Sequence, residues 1–337
     1  MRTGIPEEAL KEKALALRDT LRKLQAELAR AIVGHEEIIQ GILICLLCNG
    51  HALLEGVPGL GKTYLIKCLG QIMDLPTSRI QFTPDLMPAD IIGTNVMIQD
   101  EDERRFIRFQ KGPLFANIVL ADEINRATPK TQSALLEAMQ EQNVTVGGTA
   151  YPLESPFIVL ATQNPIEMEG TYPLPEAQMD RFFFKLDLNY PSAGQMLKII
   201  NRTTIGDLPL LSKIADAETI NEMKSLVREI PIAKHVKDFV IRLILSTHPD
   251  SEFSTEKARK YIRYGSSPRG AQSLVLAAKV FALLDGRFNV SFEDIRKAIK
   301  PSLRHRILLN FEGEAEGIVT GEILDEITQK TPELRQA

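Results

Sequence analysis

Short apolar segments alternate with longer amphipathic segments through the middle of the chain. The apolar segments are HALLEG, NIVLADE, PFIVLATQN and FFFKLDL, and helical patterns such as KTYLIKCLGQIM and TPKTQSALLEAMQEQ lie between them. Near-continuous apolar strands separated by helices are typical of a parallel sheet that is covered on both faces. The pattern therefore predicts an α/β fold with a parallel-sheet core and helical covering.

The flanking regions read as helices. Residues 1–30 contain one charged amphipathic helix with leucines at helical spacing, and a second helix follows a glycine turn in AIVGHEEIIQGILICLLCNG. After Pro191 the strand pattern largely disappears and helical patterns such as PRGAQSLVLAAKVFALLDG take over. We predict an N-terminal helix over 1–30, a sheet core over 31–190 and a smaller all-α domain over 191–337.

Composition and charge narrow the function classes. A chain of 337 residues favours two domains, and the net charge of −4 gives no general attraction to nucleic acids or anionic membranes. We find neither a secretory leader pattern nor an apolar run long enough to span a membrane, so we expect a cytoplasmic location. Cys45 and Cys48 form a CxxC in an apolar helix, where packing cysteines are favoured over a redox or metal site.

A glycine-rich stretch, GVPGLGKT, joins the first predicted strand to a predicted helix. Gly56, Gly61, Lys62 and Thr63 fit the pattern G-x-x-x-x-G-K-[ST] in the strand-loop-helix context that a P-loop requires. Glycines let backbone amides curl around phosphate oxygens, the lysine reaches the β and γ phosphates, and the threonine hydroxyl ligates Mg²⁺. The alternative, a glycine-rich turn that only starts a helix, is much less favoured.

Two acidic residues end the strand in NIVLADEINR. At the carboxyl end of a strand in an open α/β sheet, Asp122 would hold Mg²⁺, directly or through water, and Glu123 would polarise the attacking water. The alternative is that acidic residues after a strand cap the next helix. Capping accounts for one carboxylate more easily than for two beside a P-loop.

The next apolar strand, PFIVLATQNP, ends at Asn164. Its amide would lie in the same crevice, where it could position the water or contact the γ-phosphate. The alternative is an Asn-Pro turn without a role in chemistry. The neighbouring Asp122 favours the functional interpretation.

Five motifs together resemble the AAA+ ATPases, and more closely their MoxR family. They are GVPGLGKT as Walker A, IVLADEINRA as Walker B, ATQNP as sensor 1, the run TYPLPEAQMDRFFFKL, and SPRGAQSL as sensor 2. The upstream AIVGHEEII extends the match. The resemblance implies a P-loop NTPase core, a helical lid over 191–337, and a nucleotide site to which Val33, Gly34, Pro58, Gly59 and Tyr64 also contribute.

The resemblance further implies a homo-hexameric ring with ATP at the subunit interfaces. The arginine of the DRF run, Arg181, would then be the finger that reaches the γ-phosphate of a neighbouring subunit. The alternative is a surface ion pair between Asp180 and Arg181, which contributes little to stability.

Arg269 is the arginine of the sensor 2 motif, SPRGAQSL. Ser267 and Pro268 predict a helix N-cap and a first-turn proline, so Arg269 would lie in the first turn, where the helix dipole disfavours a cation. A bound anion would compensate for that charge, although a solvated arginine is also compatible with the pattern. Whether Arg269 serves its own subunit or a neighbour stays open.

Two segments of the core look like inserted hairpins. One spans about 85–112 around an acidic DEDE turn, and the other spans about 143–154 with a Gly-Gly turn. Their positions match the helix-2 insert and the pre-sensor-1 hairpin of one AAA+ branch, where such loops lie near the ring's pore. Ordinary surface hairpins are the alternative.

The hairpins and the helical lid favour a mechanical output, the remodelling or activation of another protein. The resemblance to MoxR proteins implies client proteins with a von Willebrand factor A domain. A nucleic-acid motor of the same branch is disfavoured by the acidic balance, with RRFIRFQK the best basic-aromatic candidate. A σ54-type activator is disfavoured because a GAFTGA loop is missing, and a nucleotide-gated binding module because Lys62, Asp122, Glu123 and Arg181 are all present.

Overall fold

The structure is a computed structural model that describes residues 7–57, 59–99, 105–164, 170–204 and 209–333. Its helices are α1 Glu7–Ala31, α2 Glu36–Leu47, α3 Lys62–Met73, α4 Pro88–Ile92, α5 Pro129–Glu141, α6 Glu176–Met179, α7 Ala193–Thr204, α8 Ala217–Glu229, α9 Lys234–Ser246, α10 Glu256–Tyr261, α11 Pro268–Leu284, α12 Phe292–Leu303, α13 Phe311–Ala315 and α14 Thr320–Lys330. Short 3₁₀ helices span Pro113–Phe115 and Ile124–Arg126.

The strands are β1 Ala52–Glu55, β2 Thr77–Gln81, β3 Gly93–Gln99, β4 Arg105–Lys111, β5 Ile118–Asp122, β6 Asn143–Val146, β7 Thr149–Pro152, β8 Ile158–Gln163, β9 Phe184–Asp187, β10 Ile262–Tyr264 and β11 Leu308–Leu309. Five of them form the central sheet in the order β2-β5-β8-β1-β9, and every neighbouring pair is parallel. The predicted α/β fold with a parallel sheet is therefore confirmed. Four of the five strands were predicted, and β2 was missed.

Alternate residues of the central strands enter two different apolar clusters. Leu53, Val119 and Ala161 point into the cluster that contains α5, whereas Leu54 and Leu120 point into the cluster that contains α1, α2 and α3. Burial on both faces explains why these strands are apolar at nearly every position. Because every neighbouring pair is parallel, the carboxyl ends of all five strands lie at one edge of the sheet.

The second cluster continues from the sheet into the C-terminal helices. It includes buried residues of α8, α9, α11, α12 and α14, and α1 packs against α2, α3, α8 and α11. The predicted division at about residue 190 stays a prediction, and one continuous apolar core crosses it. The N-terminal helix thus braces the sheet side and the helical side together.

Both predicted hairpins are present. β3 pairs with β4 in antiparallel register, and β6 pairs with β7 across Gly147 and Gly148, which both have positive φ. The acidic turn at 100–103 lies outside the described residues. The two hairpins touch, because the rings of Phe109 and Tyr151 stack with centroids 4.1 Å apart.

The cysteines pack as apolar residues. Cys45, Cys48 and Cys68 are buried and free, and burial raises the pKa of each thiol. Within the described ranges, no group of three or more His, Cys, Asp or Glu side chains could hold a metal ion. In those same ranges, no helix combines the length and apolarity needed to cross a bilayer.

Two buried histidines connect the layers of the fold. His51 Nδ1 accepts from the Val159 amide at 2.9 Å, and its Nε2 donates to the Met139 carbonyl at 3.0 Å. His305 Nε2 donates to the Phe182 carbonyl at 3.0 Å. Burial lowers the pKa of His51 to about 4 and that of His305 well below its ordinary value.

These histidines predict a loss of stability in mild acid. Both stay neutral in the folded protein, whereas in the unfolded chain each gains a proton below about pH 6.5, so stability is retained above that pH and falls toward pH 4. Each contributes at most about 1.4 kcal/mol per pH unit within that window. We expect Tm to fall clearly between about pH 7 and pH 5.5 and to stay level above pH 7. An unchanged Tm at pH 5.5 would contradict this.

Candidate nucleotide-binding site

The glycine-rich loop leads from β1 into the first turn of α3. Gly59 and Gly61 have φ of 86° and 76°, which favours glycine. Gly56 has a different constraint, because a Cβ there would lie 2.8 Å from both the side chain and the carbonyl of Leu188. Gly61, at the N-cap, offers no side chain to the first amides of α3, so these amides can bind an anion. Pro58 lies outside the described residues.

The loop opens into a polar cavity of about 430 Å³. It is lined by Gly59, Leu60, Gly61, Lys62, Thr63, Tyr64, Arg79, Asp122, Glu123 and Asn164. The parallel sheet explains the grouping, because β1, β5 and β8 all end at this edge. The structure thus brings together the predicted Walker A, Walker B and sensor 1 residues.

Lys62 is half-buried and lines this cavity. Its ammonium donates to the Gly56 carbonyl at 3.0 Å. Burial lowers the pKa of Lys62, and the negative charges of Asp122 and Glu123 act in the opposite direction. A phosphate group in the cavity would favour the charged form of Lys62 in the same way.

Asp122 is the last residue of β5, and both of its carboxylate oxygens accept hydrogen bonds. Oδ1 accepts from the Thr162 hydroxyl at 2.6 Å, and Oδ2 accepts from Arg79 Nη2 at 2.7 Å. Neighbours on the adjacent strands β8 and β2 therefore fix the direction of this carboxylate.

Glu123 follows with a left-handed backbone, at φ 56° and ψ 51°. Its amide donates to the Thr162 hydroxyl at 2.8 Å, and its Oε2 accepts from Gln81 at 3.0 Å and from Arg126 at 2.9 Å. Its side chain makes no capping bond to the 3₁₀ helix that begins after it. The helix-capping alternative therefore does not describe Glu123.

Asn164 follows β8 and is 7% exposed. It lies on the wall of the same cavity as Asp122 and Glu123. The Asn-Pro turn that formed the alternative falls on residues 165–169, which are outside the described part of the chain.

An apolar cavity of about 410 Å³ adjoins the polar one. Gly59, Leu60, Gly61 and Tyr64 line both cavities, and Val33, Leu188, Tyr190 and Met196 are among the residues that line only the apolar one. Gly34 does not line it, but its φ of 73° forms the turn before α2. A polar cavity joined to an apolar one of this size suits a phosphate chain attached to a flat ring.

Arg181 and Arg269 lie elsewhere. Both line a separate cavity of about 240 Å³, whose lining includes none of Lys62, Thr63 and Asp122. Arg181 Nη1 donates to the Leu136 carbonyl at 2.9 Å. The two arginines therefore share one cavity with each other, and that cavity is not the one at the P-loop.

The alternative that paired Asp180 with Arg181 is wrong. The Asp180 carboxylate instead accepts from Arg306 Nε at 2.8 Å and lies 3.5 Å from Arg269 Nη1. The helix start predicted for Arg269 is confirmed, since Ser267 caps α11 and Pro268 is its first residue. Asp180 supplies a negative charge beside Arg269 within the chain itself.

Comparisons with known proteins identify the family. The family described as "ATPase family associated with various cellular activities (AAA)" matches residues 51–184, and "AAA lid domain" matches residues 255–327. The chain is 39% identical to "Chaperone MoxR1" of Mycobacterium tuberculosis, over 92% of this chain and 81% of that protein. The chain belongs to the MoxR family of AAA+ ATPases.

Two further relatives agree with the MoxR assignment. "Protein MoxR" of Paracoccus denitrificans is 29% identical over 88% of this chain and 92% of that protein. A crystal structure from Cytophaga hutchinsonii, provisionally named an ATPase, has 42% identity and a TM-score of 0.90, and the match covers 98% of this chain and 99% of that one. The AAA+ core and the lid are thus both shown for this MoxR chain.

Sequence reasoning missed three residues of this MoxR site. Arg79 and Gln81 lie on the edge strand β2, and Thr162 lies inside β8. Arg79 also donates to Gln81 Oε1 at 2.8 Å, so a continuous chain of contacts runs from Asp122 through Arg79 and Gln81 to Glu123. The signal available in the sequence was the pair Arg79 and Gln81, a charged residue and an amide two positions apart in the segment TSRIQ.

Proposed function

We propose that this MoxR chain hydrolyses ATP in a homo-hexameric ring and uses the energy to remodel or activate client proteins in the cytoplasm. The observation that carries the proposal is the joined pair of cavities at the carboxyl edge of the sheet. The polar cavity holds the candidate phosphate, metal and water ligands, and the apolar cavity beside it has room for the base.

Residue roles follow from this geometry. The amides of Gly59 and Gly61, together with Lys62, would hold the phosphates. Glu123 would polarise the attacking water, and Asn164 would orient that water or contact the γ-phosphate. Val33 and Tyr64, with the turn at Gly34, would hold the base.

The oxygen donors of the polar cavity fit Mg²⁺. Thr63 and Asp122 offer a hydroxyl and a carboxylate on its wall, and Mg²⁺ in nucleotide sites takes one or two protein ligands besides phosphates and waters. When bound, Mg²⁺ would neutralise charge on the β and γ phosphate oxygens. Thr162 and Arg79 hold the Asp122 carboxylate in the orientation described above.

The position of the two arginines supports a site shared between subunits. Arg181 and Arg269 line a cavity whose lining contains no P-loop residue, which supports a contact with nucleotide held by another chain. A neighbouring subunit that seats its nucleotide against this cavity would receive both guanidinium groups. We therefore propose that Arg181 and Arg269 both act in trans, stabilising charge that develops during phosphoryl transfer.

The client class rests on the family. The relative from Mycobacterium tuberculosis is named a chaperone. The resemblance to MoxR proteins supports clients with a von Willebrand factor A domain. The touching hairpins β3-β4 and β6-β7 are the candidate moving parts. Met97 and Ile107, opposite each other on β3 and β4, are 68% and 71% exposed and could contact such a client.

ATPase rate per subunit, measured against protein concentration, tests the shared site. We expect the specific rate to climb with concentration until the ring is complete, with Glu123→Gln as the background. Particle mass measured at each concentration should rise over the same range, to six subunits. A constant rate from particles of monomer mass would contradict the shared site, and strong stimulation by DNA would favour a nucleic-acid motor instead.

A further inference from the structure

The segment Asp180–Phe183, which carries Arg181 between α6 and β9, is held by one arginine of the helical lid. Arg306 Nη2 donates to the carbonyls of Asp180 at 3.1 Å and Phe182 at 2.6 Å, and Nη1 donates to the carbonyl of Phe183 at 3.2 Å. These three carbonyls lie on both sides of Arg181 in the chain. One guanidinium therefore fixes the backbone from which the Arg181 side chain extends.

The Arg306 guanidinium is buried rather than on the surface. Its side chain is 2% exposed, and Nε donates to Asp180 Oδ1 at 2.8 Å. Burial lowers the pKa of Arg306, whereas the Asp180 carboxylate raises it. A buried cation is retained only when its donors are well satisfied, and here the donors are directed to the segment 180–183 and to the Ser302 carbonyl.

Asp180 connects the same segment to the start of α11. Its two carboxylate oxygens accept from the Ser267 hydroxyl, each at 2.9 Å, and Oδ2 lies 3.5 Å from Arg269 Nη1. Ser267 is also the N-cap of α11, the helix on which Arg269 lies in the first turn. A single carboxylate thus links Arg306, the cap of α11 and Arg269.

We propose that Arg306 and Asp180 are positioning residues that hold Arg181 and Arg269 in one fixed arrangement and present both to the neighbouring subunit's nucleotide. This inference rests on the proposed function, in which Arg181 acts in trans. Neither Arg306 nor Asp180 needs to touch that nucleotide. Their effect comes from placement, because an error of about 1 Å in a group that stabilises charge can cost about 100-fold in rate.

The variant Arg306→Lys tests the placement. Lysine keeps the charge but loses the planar fork that reaches several carbonyls at once. We expect turnover to fall about 10- to 100-fold. ATP affinity should change less than about twofold, because Arg306 does not line either cavity at the P-loop.

Arg242→Lys is the matched control. Arg242 is also a lid arginine, 8% exposed, and its guanidinium donates to the carbonyls of Pro332 and Glu333 rather than to the segment 180–183. Its replacement should weaken the lid to a similar extent and leave turnover near wild type. Equal loss of turnover in Arg306→Lys and Arg242→Lys would mean that Arg306 only stabilises the lid, and it would overturn the proposal.

Mixing subunits separates placement from damage to the fold. A Glu123→Gln subunit cannot hydrolyse ATP but keeps its own Arg181, so it can serve the intact P-loop of an Arg306→Lys neighbour. We expect mixed rings to turn over several-fold faster per Arg306→Lys subunit than that variant alone. Asp180→Asn, which keeps the side-chain shape, is measured in the same way and decides the matter where Arg306→Lys does not fold.

A mixture of Arg181→Ala and Glu123→Gln subunits distinguishes failure of the shared site from failure of the positioning role of Arg306. Normal turnover by Arg181→Ala, or loss that mixing does not recover, would overturn the shared site and this inference with it. Where Arg181→Ala loses turnover and mixing recovers it, wild-type turnover by Arg306→Lys would overturn the positioning role alone. The same conclusion would follow from a loss in Arg306→Lys that mixing does not recover.

Discussion

Lys62→Ala is expected to abolish ATP binding at micromolar nucleotide. The Lys62 ammonium lies half-buried in the polar cavity, where its only competing partner given by the described contacts is the Gly56 carbonyl. Two charge-assisted bonds to the β and γ phosphates would contribute about 3 to 6 kcal/mol, so their loss weakens affinity roughly 150- to 25,000-fold. Titration with a fluorescent ATP analogue measures this directly.

Lys67→Ala is the control for Lys62→Ala. Lys67 lies on the same helix, α3, but is exposed and faces away from the polar cavity. Its replacement removes the same charge from the protein and should leave ATP affinity near wild type. Tight ATP binding by Lys62→Ala would mean that the polar cavity is not the phosphate site.

Four strands of the sheet could be predicted from sequence, and only β2, at one of the two edges, could not. β1, β5, β8 and β9 are buried by helices, so their apolar runs are readable. β2, TSRIQ, lies at the edge of the sheet, and Ile80 is the only buried residue within it. An edge strand with one buried residue gives no alternation to detect, which is why Arg79 and Gln81 were missed with it.

The P-loop side of the site could be predicted because its residues lie close to strand ends in the sequence. Asp122 ends β5, Glu123 and Asn164 directly follow β5 and β8, and Lys62 and Thr63 begin the helix after the glycine-rich loop that follows β1. Parallel strands bring these positions to one edge of the sheet. Thr162 was missed for a different reason. Its hydroxyl joins Asp122 to the Glu123 amide only because β8 lies beside β5 in this register, and register cannot be read from one strand.

The arginine side of the site depends on contacts between distant parts of the chain. The sequence predicted the cap of α11 and an unfavourable charge at Arg269, which called for a compensating anion. The structure supplies one in Asp180, which approaches from the core and is itself held by Arg306 of the lid. Without the fold, Asp180 and Arg181 read as an isolated surface pair.

The largest effect on turnover is expected from Glu123→Gln, which should keep ATP bound while hydrolysis stops. General-base action contributes typically 100- to 10,000-fold, so we expect kcat to fall by about that factor. The amide has the size of the carboxylate and can still accept from Gln81 and Arg126 through its oxygen, so the loop after β5 should keep its shape. Single-turnover hydrolysis and equilibrium ATP binding, measured on one preparation, separate the two steps.

Glu222→Gln is the matched control, since Glu222 is an exposed glutamate on α8 that lines neither cavity at the P-loop. It carries the same change of charge and should leave both kcat and ATP affinity near wild type. Normal turnover in Glu123→Gln would exclude this carboxylate as the base, and Asn164, which lines the same cavity, would then be the next candidate to orient water. Loss of ATP binding together with turnover would instead show that Glu123 shapes the phosphate site, because its contact with Gln81 connects it through Arg79 to Asp122.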